Sequence, residues 1–233
     1  MPTILTAATL IGLLHAGPVI LTGSDIGDNY YDAPPAAILE PTAWLGLFID
    51  EGRSDGPRKS QLAAASVGFA LREEPGPTVY RLTTTPPGAA LLVSGVPRLS
   101  AGAATTIGQH MDLGGEERQA AWEMGRWRYR IRLDATHPTY CDAVITLTEG
   151  ERQQTLFDAA VHGTTNDPSL VVSCGEPHFR IHWAGDLDRD GRLDLVVTFS
   201  RKYSYHPRQL FLSSAASSGE LVSEVARHDR FAE

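Results

Sequence analysis

The stretch from Asp186 to Asp194 constrains this chain more than any other. It reads Asp-Leu-Asp-Arg-Asp-Gly-Arg-Leu-Asp, with carboxylates at positions 1, 3, 5 and 9 and a glycine at position 6. Four like charges in so short a loop repel one another unless something gathers them. A hard cation that prefers about six to eight oxygen ligands does so, and Gly191 permits the sharp turn the backbone must make around it. A helical EF-hand would need a bidentate glutamate at position 12, where this chain has Val197 inside a Leu195-Val196-Val197 run. The flanks are strand-like instead. Phe179 to Trp183 alternates apolar and polar residues, and Leu193 to Phe199 is rich in β-branched and aromatic ones. The stretch therefore predicts a β-hairpin clasping Ca²⁺.

The run Trp183-Ala184-Gly185 through Asp194-Leu195-Val196-Val197 resembles an FG-GAP (VCBS-type) repeat, the calcium hairpin of integrin-like β-propellers and of many secreted bacterial proteins. The likeness covers residues 178–215. It implies side-chain ligation by Asp186, Asp188, Asp190 and Asp194, with Arg192 contributing its backbone carbonyl. The whole chain also resembles exported bacterial proteins that carry one such loop near the C-terminus, a resemblance that implies no particular activity. An ion whose ligands all come from one hairpin is expected to be structural rather than catalytic.

Net charge is −8 and the sequence pI is about 5.5, which argues against nucleic acid as the partner. The 22 glycines and 15 prolines favour many turns and hence many short strands. Cys141 and Cys174, beside a calcium motif, suggest an oxidising compartment. A Cys141–Cys174 disulfide would stabilise the fold by about 3–4 kcal/mol, and two unpaired thiols are the alternative. Ile4 to Leu21 is apolar but interrupted by His15, Gly17 and Pro18, so no membrane-spanning helix is expected there. A signal cleaved near Ala16 and a segment retained in the fold both stay open. Periplasmic or secreted is the expected location.

Residues 1–42 read as an apolar segment and a linker, in which Asp25, Asp28 and Asp32 form a second acidic cluster taken as a solvated turn. From Ala43 the pattern has period two. Strands are expected over 44–49, 61–72, 78–84, 89–94 and 103–113, with 116–124 either a short helix or a strand. Residues 126–133 alternate most cleanly: Trp127, Tyr129, Ile131 and Leu133 face a core, and Arg126, Arg128, Arg130 and Arg132 face away. That arginine row reads better as a solvated face paired with cross-strand carboxylates than as an anionic docking stripe. The pattern breaks near residue 136, dividing a β-rich region 43–135 from a second, 136–233, that carries the hairpin; the two could share one core. The expected class is mainly β, with antiparallel sheets in a sandwich or blade-like arrangement. The aspartate loop occurs once and no repeat recurs, so a complete propeller is not expected.

Catalytic patterns are sparse. His178 and His182 share a face of one strand about 13 Å apart, too far for one metal ion. The loop after the hairpin holds Tyr203, Tyr205, His206 and Arg208, residue types enriched in binding hot spots, and is expected to form part of a protein-binding surface. The resulting expectation is a calcium-stabilised binding or interaction module rather than an enzyme. An inhibitor or immunity-type protein and a metal-dependent hydrolase are the alternatives.

Overall fold

A computed structural model describes residues 17–26, 30–41, 43–50, 57–71, 78–136, 142–159, 177–200, 202 and 204–231. The expected disulfide between Cys141 and Cys174, Tyr203, Asp28 and the first 16 residues lie outside these. The strands in chain order are β1 (Val19–Thr22), β2 (Tyr30–Tyr31), β3 (Trp44–Ile49), β4 (Arg58–Leu71), β5 (Tyr80–Thr85), β6 (Leu91–Ser94), β7 (Gly102–Asp112), β8 (Gln119–Met124), β9 (Trp127–Asp134), β10 (Val144–Glu149), β11 (Arg152–Asp158), β12 (His178–Asp186), β13 (Asp194–Ser200), β14 (Arg208–Leu212) and β15 (Ser223–His228). A single-turn helix α1 (Ala36–Leu39) and 3-10 turns at Gly23–Asp25 and Ser213–Ala215 complete the elements. The stretch left open between helix and strand is β8, because its burial alternates strictly.

The pairings are antiparallel and make two sheets. The larger follows the order β1-β6-β3-β4-β7-β12-β13-β14-β15, with β5 and β2 branching from β4. It curls until its two edges meet: the Arg227 N–H donates to the Pro18 carbonyl at 3.4 Å. The result is a nearly closed barrel rather than a propeller. The break near residue 136 does not partition it, since β7 and β12 are neighbours. The second sheet, β11-β10-β9-β8, packs on the outside.

Period-two patterning explains both layers. Strands β12 and β13 are apolar on both faces because both are covered. Ile181, Leu195, Val197 and Phe199 meet Ile131, Leu133, Ile145 and Leu147 of the four-stranded sheet. Trp183 and Val196 point the other way, into the barrel, against Ile20, Leu47, Leu62 and Leu210. Trp183 has no exposed surface, and its indole N–H donates to Thr106 Oγ1 at 2.8 Å. In β9, Tyr129, Ile131 and Leu133 face inward as the alternation demands. Of the arginines opposite, Arg128 pairs across the strands with Glu123 at 3.0 Å, as expected of a solvated face, whereas Arg132 pairs along its own strand with Asp134 at 2.5 Å.

Candidate metal centre

The acidic loop joins β12 to β13, so its two ends are held 1:1 by the ladder that pairs Gly185 with Asp194. Asp186 organises the turn. Its Oδ1 accepts the backbone N–H groups of Arg189 (2.7 Å) and Asp190 (3.1 Å), and its Oδ2 that of Gly191 (3.1 Å). Wrapping the chain this tightly needs two left-handed residues, Arg189 at φ 70° and Gly191 at φ 76°. The glycine adopts this freely, while the arginine incurs roughly 1–2 kcal/mol. Its guanidinium offsets this by reaching the loop between β6 and β7. There it donates to the Ser100 carbonyl (3.3 Å), the Ser100 hydroxyl (2.6 Å) and the Ala101 carbonyl (3.2 Å).

Asp186, Asp188 and Asp194 each bring one carboxylate oxygen within 4.8 Å of the others. Ligands on opposite sides of Ca²⁺ stand about 4.6–5.2 Å apart, twice its usual bond length, so this spacing fits. The donor set is all oxygen and carries three negative charges, as a hard cation requires. Asp194 has no exposed surface. Its Oδ2 accepts the Leu187 N–H at 2.8 Å, and its Oδ1 accepts the Ser213 N–H at 2.9 Å and hydroxyl at 3.1 Å. Burial pushes its carboxyl well above the ordinary range, and the Asp188 charge adds to this. Burial likewise raises Asp186.

Asp190 stands apart from the converging trio. Its oxygens accept the Arg192 N–H (2.8 Å) and the Ser213 hydroxyl (2.8 Å). The Arg192 side chain leaves the loop altogether and lies over the Trp127 ring at 4.8 Å, tying the hairpin to the outer sheet. Ser213 and Ser214, from the turn after β14, were not foreseen. Ser214 donates to Asp188, and its own carbonyl takes a bond from Arg98.

The expected protein-binding loop is split by the structure. The Tyr205 hydroxyl donates to Asp229 at 2.7 Å, and its ring lies 5.2 Å from Phe231, an aromatic that is 72% exposed. The His206 ring stands 4.4 Å from that of His178. Arg208 does not belong with them. It is buried, opens β14, and forms an ion pair with Asp25 at 2.9 Å. Asp25, taken as part of a solvated turn, is buried with no exposed surface and also accepts the Thr22 N–H and hydroxyl. Both departures have one cause: each charge supplies the other's solvent replacement. His182 is buried too, with Nε2 2.9 Å from Thr198 Oγ1. No protein-family profile, curated protein or solved structure matches the chain.

Proposed function

We propose that this protein binds Ca²⁺ through its acidic hairpin loop and serves as a calcium-stabilised binding module in a periplasmic or extracellular setting. The observation that supports this is the convergence of Asp186, Asp188 and Asp194 within 4.8 Å at the spacing of the FG-GAP loop. Asp186, Asp188 and Asp194 would hold the ion, joined in the family pattern by Asp190 and the Arg192 carbonyl. The ion would supply charge, not chemistry. It would relieve the repulsion among these carboxylates and hold together three chain segments: the hairpin, the Ser213–Ser214 turn and, through Arg189, the loop preceding β7. The buried position of Asp194 favours a structural ion.

The partner in this reading is another protein. The Tyr205–Phe231 aromatic pair, with Phe231 exposed, offers it an anchor of the kind that dominates interfaces. Metal analysis of the purified chain and calcium titration calorimetry test the first part. One equivalent of Ca²⁺ per chain is expected, with binding lost in Asp188→Ala. Absence of calcium binding in the parent at about 1 mM free ion refutes it. Co-purification with and without Tyr205→Ala tests the partner surface.

A further inference from the structure

The barrel carries a second irregularity, away from the acidic loop. The register of β12 against β13 shifts between Ile181 and Trp183, leaving His182 as the extra residue. Across the other edge of β12, Ile181 and Trp183 pair with Met111 and Gln109 of β7. Between those two sits His110, at φ 52°. Two neighbouring strands thus depart from regular geometry at the same level, and in both the residue is a histidine. Bulges and left-handed non-glycine residues re-aim side chains and concentrate at functional sites. Here both histidines line one small recess of about 80 Å³, together with Ser24, Gln109, Arg180 and Trp183.

Hydrogen-bond direction decides what this recess can hold. Thr198 Oγ1 accepts from Arg208 Nη1 at 2.9 Å and stands 2.9 Å from His182 Nε2, so one arrangement of the pair has Thr198 donating its own proton to Nε2. The His182 ring then carries its proton on Nδ1. No partner for that atom is found among the described residues, and the His182 side chain lines the recess. Burial, with the Arg208 charge behind it, takes the His182 pKa down to about 3, so the ring is a neutral donor at neutral pH. Gln109 Oε1 is occupied by Arg58 at 3.1 Å, which leaves its amide N–H groups as the free end. Arg180 adds a guanidinium whose carboxylate neighbour, Asp112, stands 3.9 Å off. Among the described residues no aspartate or glutamate lines the recess, and the nearby Asp25 charge is paired with Arg208.

We propose that this recess binds one small inorganic oxyanion, held by Arg180, His110 and His182, with the Gln109 amide as a further donor. Its size suits a single tetrahedral anion such as sulfate or phosphate and excludes a bulky ester. The site shares no residue with the acidic loop, so its failure and that of the calcium reading are separately visible. The test uses the full chain in calcium-containing buffer, with sodium sulfate as probe and sodium chloride at matched ionic strength as reference. Calorimetry is expected to give saturable binding with a dissociation constant of about 1 mM or tighter, and histidine NMR resonances of His110 and His182 should shift with the same midpoint. Arg180→Gln and His110→Gln, both at exposed positions, should each weaken binding at least about tenfold while circular dichroism and the thermal response to calcium stay unchanged. A flat titration to about 20 mM sulfate overturns the proposal. Equal affinity in the parent and both variants also overturns it, because that outcome is ionic screening only.

Discussion

Removing Arg208 is the sharpest test of how the barrel closes. Its guanidinium donates to Asp25 Oδ2 (2.9 Å), Asp25 Oδ1 (3.1 Å), Thr198 Oγ1 (2.9 Å), Thr22 Oγ1 (3.2 Å) and Ser24 Oγ (3.3 Å). Arg208→Met keeps most of the aliphatic volume and deletes all five bonds. Asp25 would then remain fully buried without its principal cation, with the Thr22 donors and Arg230, at 3.6 Å, among what still supports its charge. Breaking a buried pair this way costs about 3–5 kcal/mol. For a chain of this size that is a fall of roughly 6–20 °C in Tm. Urea denaturation at pH 7 followed by tryptophan fluorescence would measure it, with Asp25→Asn and the double variant completing a cycle. The double variant should be less destabilised than the sum of the singles by at least about 1 kcal/mol, since neither charge is stranded. The pH dependence has a definite sign. Burial pushes the Asp25 carboxyl up, but the Arg208 charge and hydrogen bonds with those from Thr22 outweigh it, leaving the carboxyl below its ordinary value. The pair therefore contributes fully above the unfolded carboxyl range, and its contribution fades only as pH falls through the lowered folded value. A loss under about 1 kcal/mol at pH 7, or an additive cycle, would refute the reasoning.

Calcium at 100-fold over its dissociation constant should add about 2.7 kcal/mol, or roughly 5–11 °C in Tm, reversed by EDTA and absent in Asp188→Ala; scanning calorimetry checks this. With the His182 pKa reduced to about 3, the unfolded chain takes up a proton there that the native one refuses between about pH 6.5 and 3. Stability should therefore fall by about 1.4 kcal/mol per pH unit across that window relative to His182→Gln, as acid titration of the urea midpoint would reveal. Gly185→Ala should destabilise by about 1–3 kcal/mol in the same assay, because a Cβ there would run into the Thr105 carbonyl and the Trp183 ring.

The local features of this fold were legible because they depend on neighbours in sequence. The alternation of residues 127–133 named the buried face of β9, and Asp186 to Asp194 named both the hairpin and the turn residue Gly191. What the pattern could not supply was the partner of each strand. Period two tells which residues share a face but not that β15 returns to β1, so the mainly β, antiparallel class was legible and the near closure of one sheet into a barrel was not. Arg208 and Asp25 illustrate the consequence. They are 183 residues apart, and each taken alone looks like an ordinary exposed charge. Ser213 and Ser214 escaped for the same reason, since serine carries no signal until a second loop brings it to a carboxylate. The Asp190 carboxylate bonds to Ser213 instead of converging with the other three.

The two ends of the barrel are held by opposite arrangements of charge. At the end where β12 turns into β13, three carboxylates converge, and in the proposed reading their cation comes from solution. At the other end, where β1 passes into the Gly23–Asp25 turn and β14 begins, the chain supplies its own cation in Arg208. The arrangements bind different pairs of elements. The acidic loop connects β12–β13 to the turn after β14 and to the loop before β7, whereas Arg208 connects β14 to β1 across the seam that the ladder leaves nearly open. Among the described residues, none of the hydrogen bonds given above joins the two arrangements. Losses from Asp188→Ala in saturating calcium and from Arg208→Met should therefore add to within about 0.5 kcal/mol in the double variant. Strong coupling between them would mean instead that the seam and the hairpin yield as one unit, with the ion acting through the β14 backbone on a pair it does not touch.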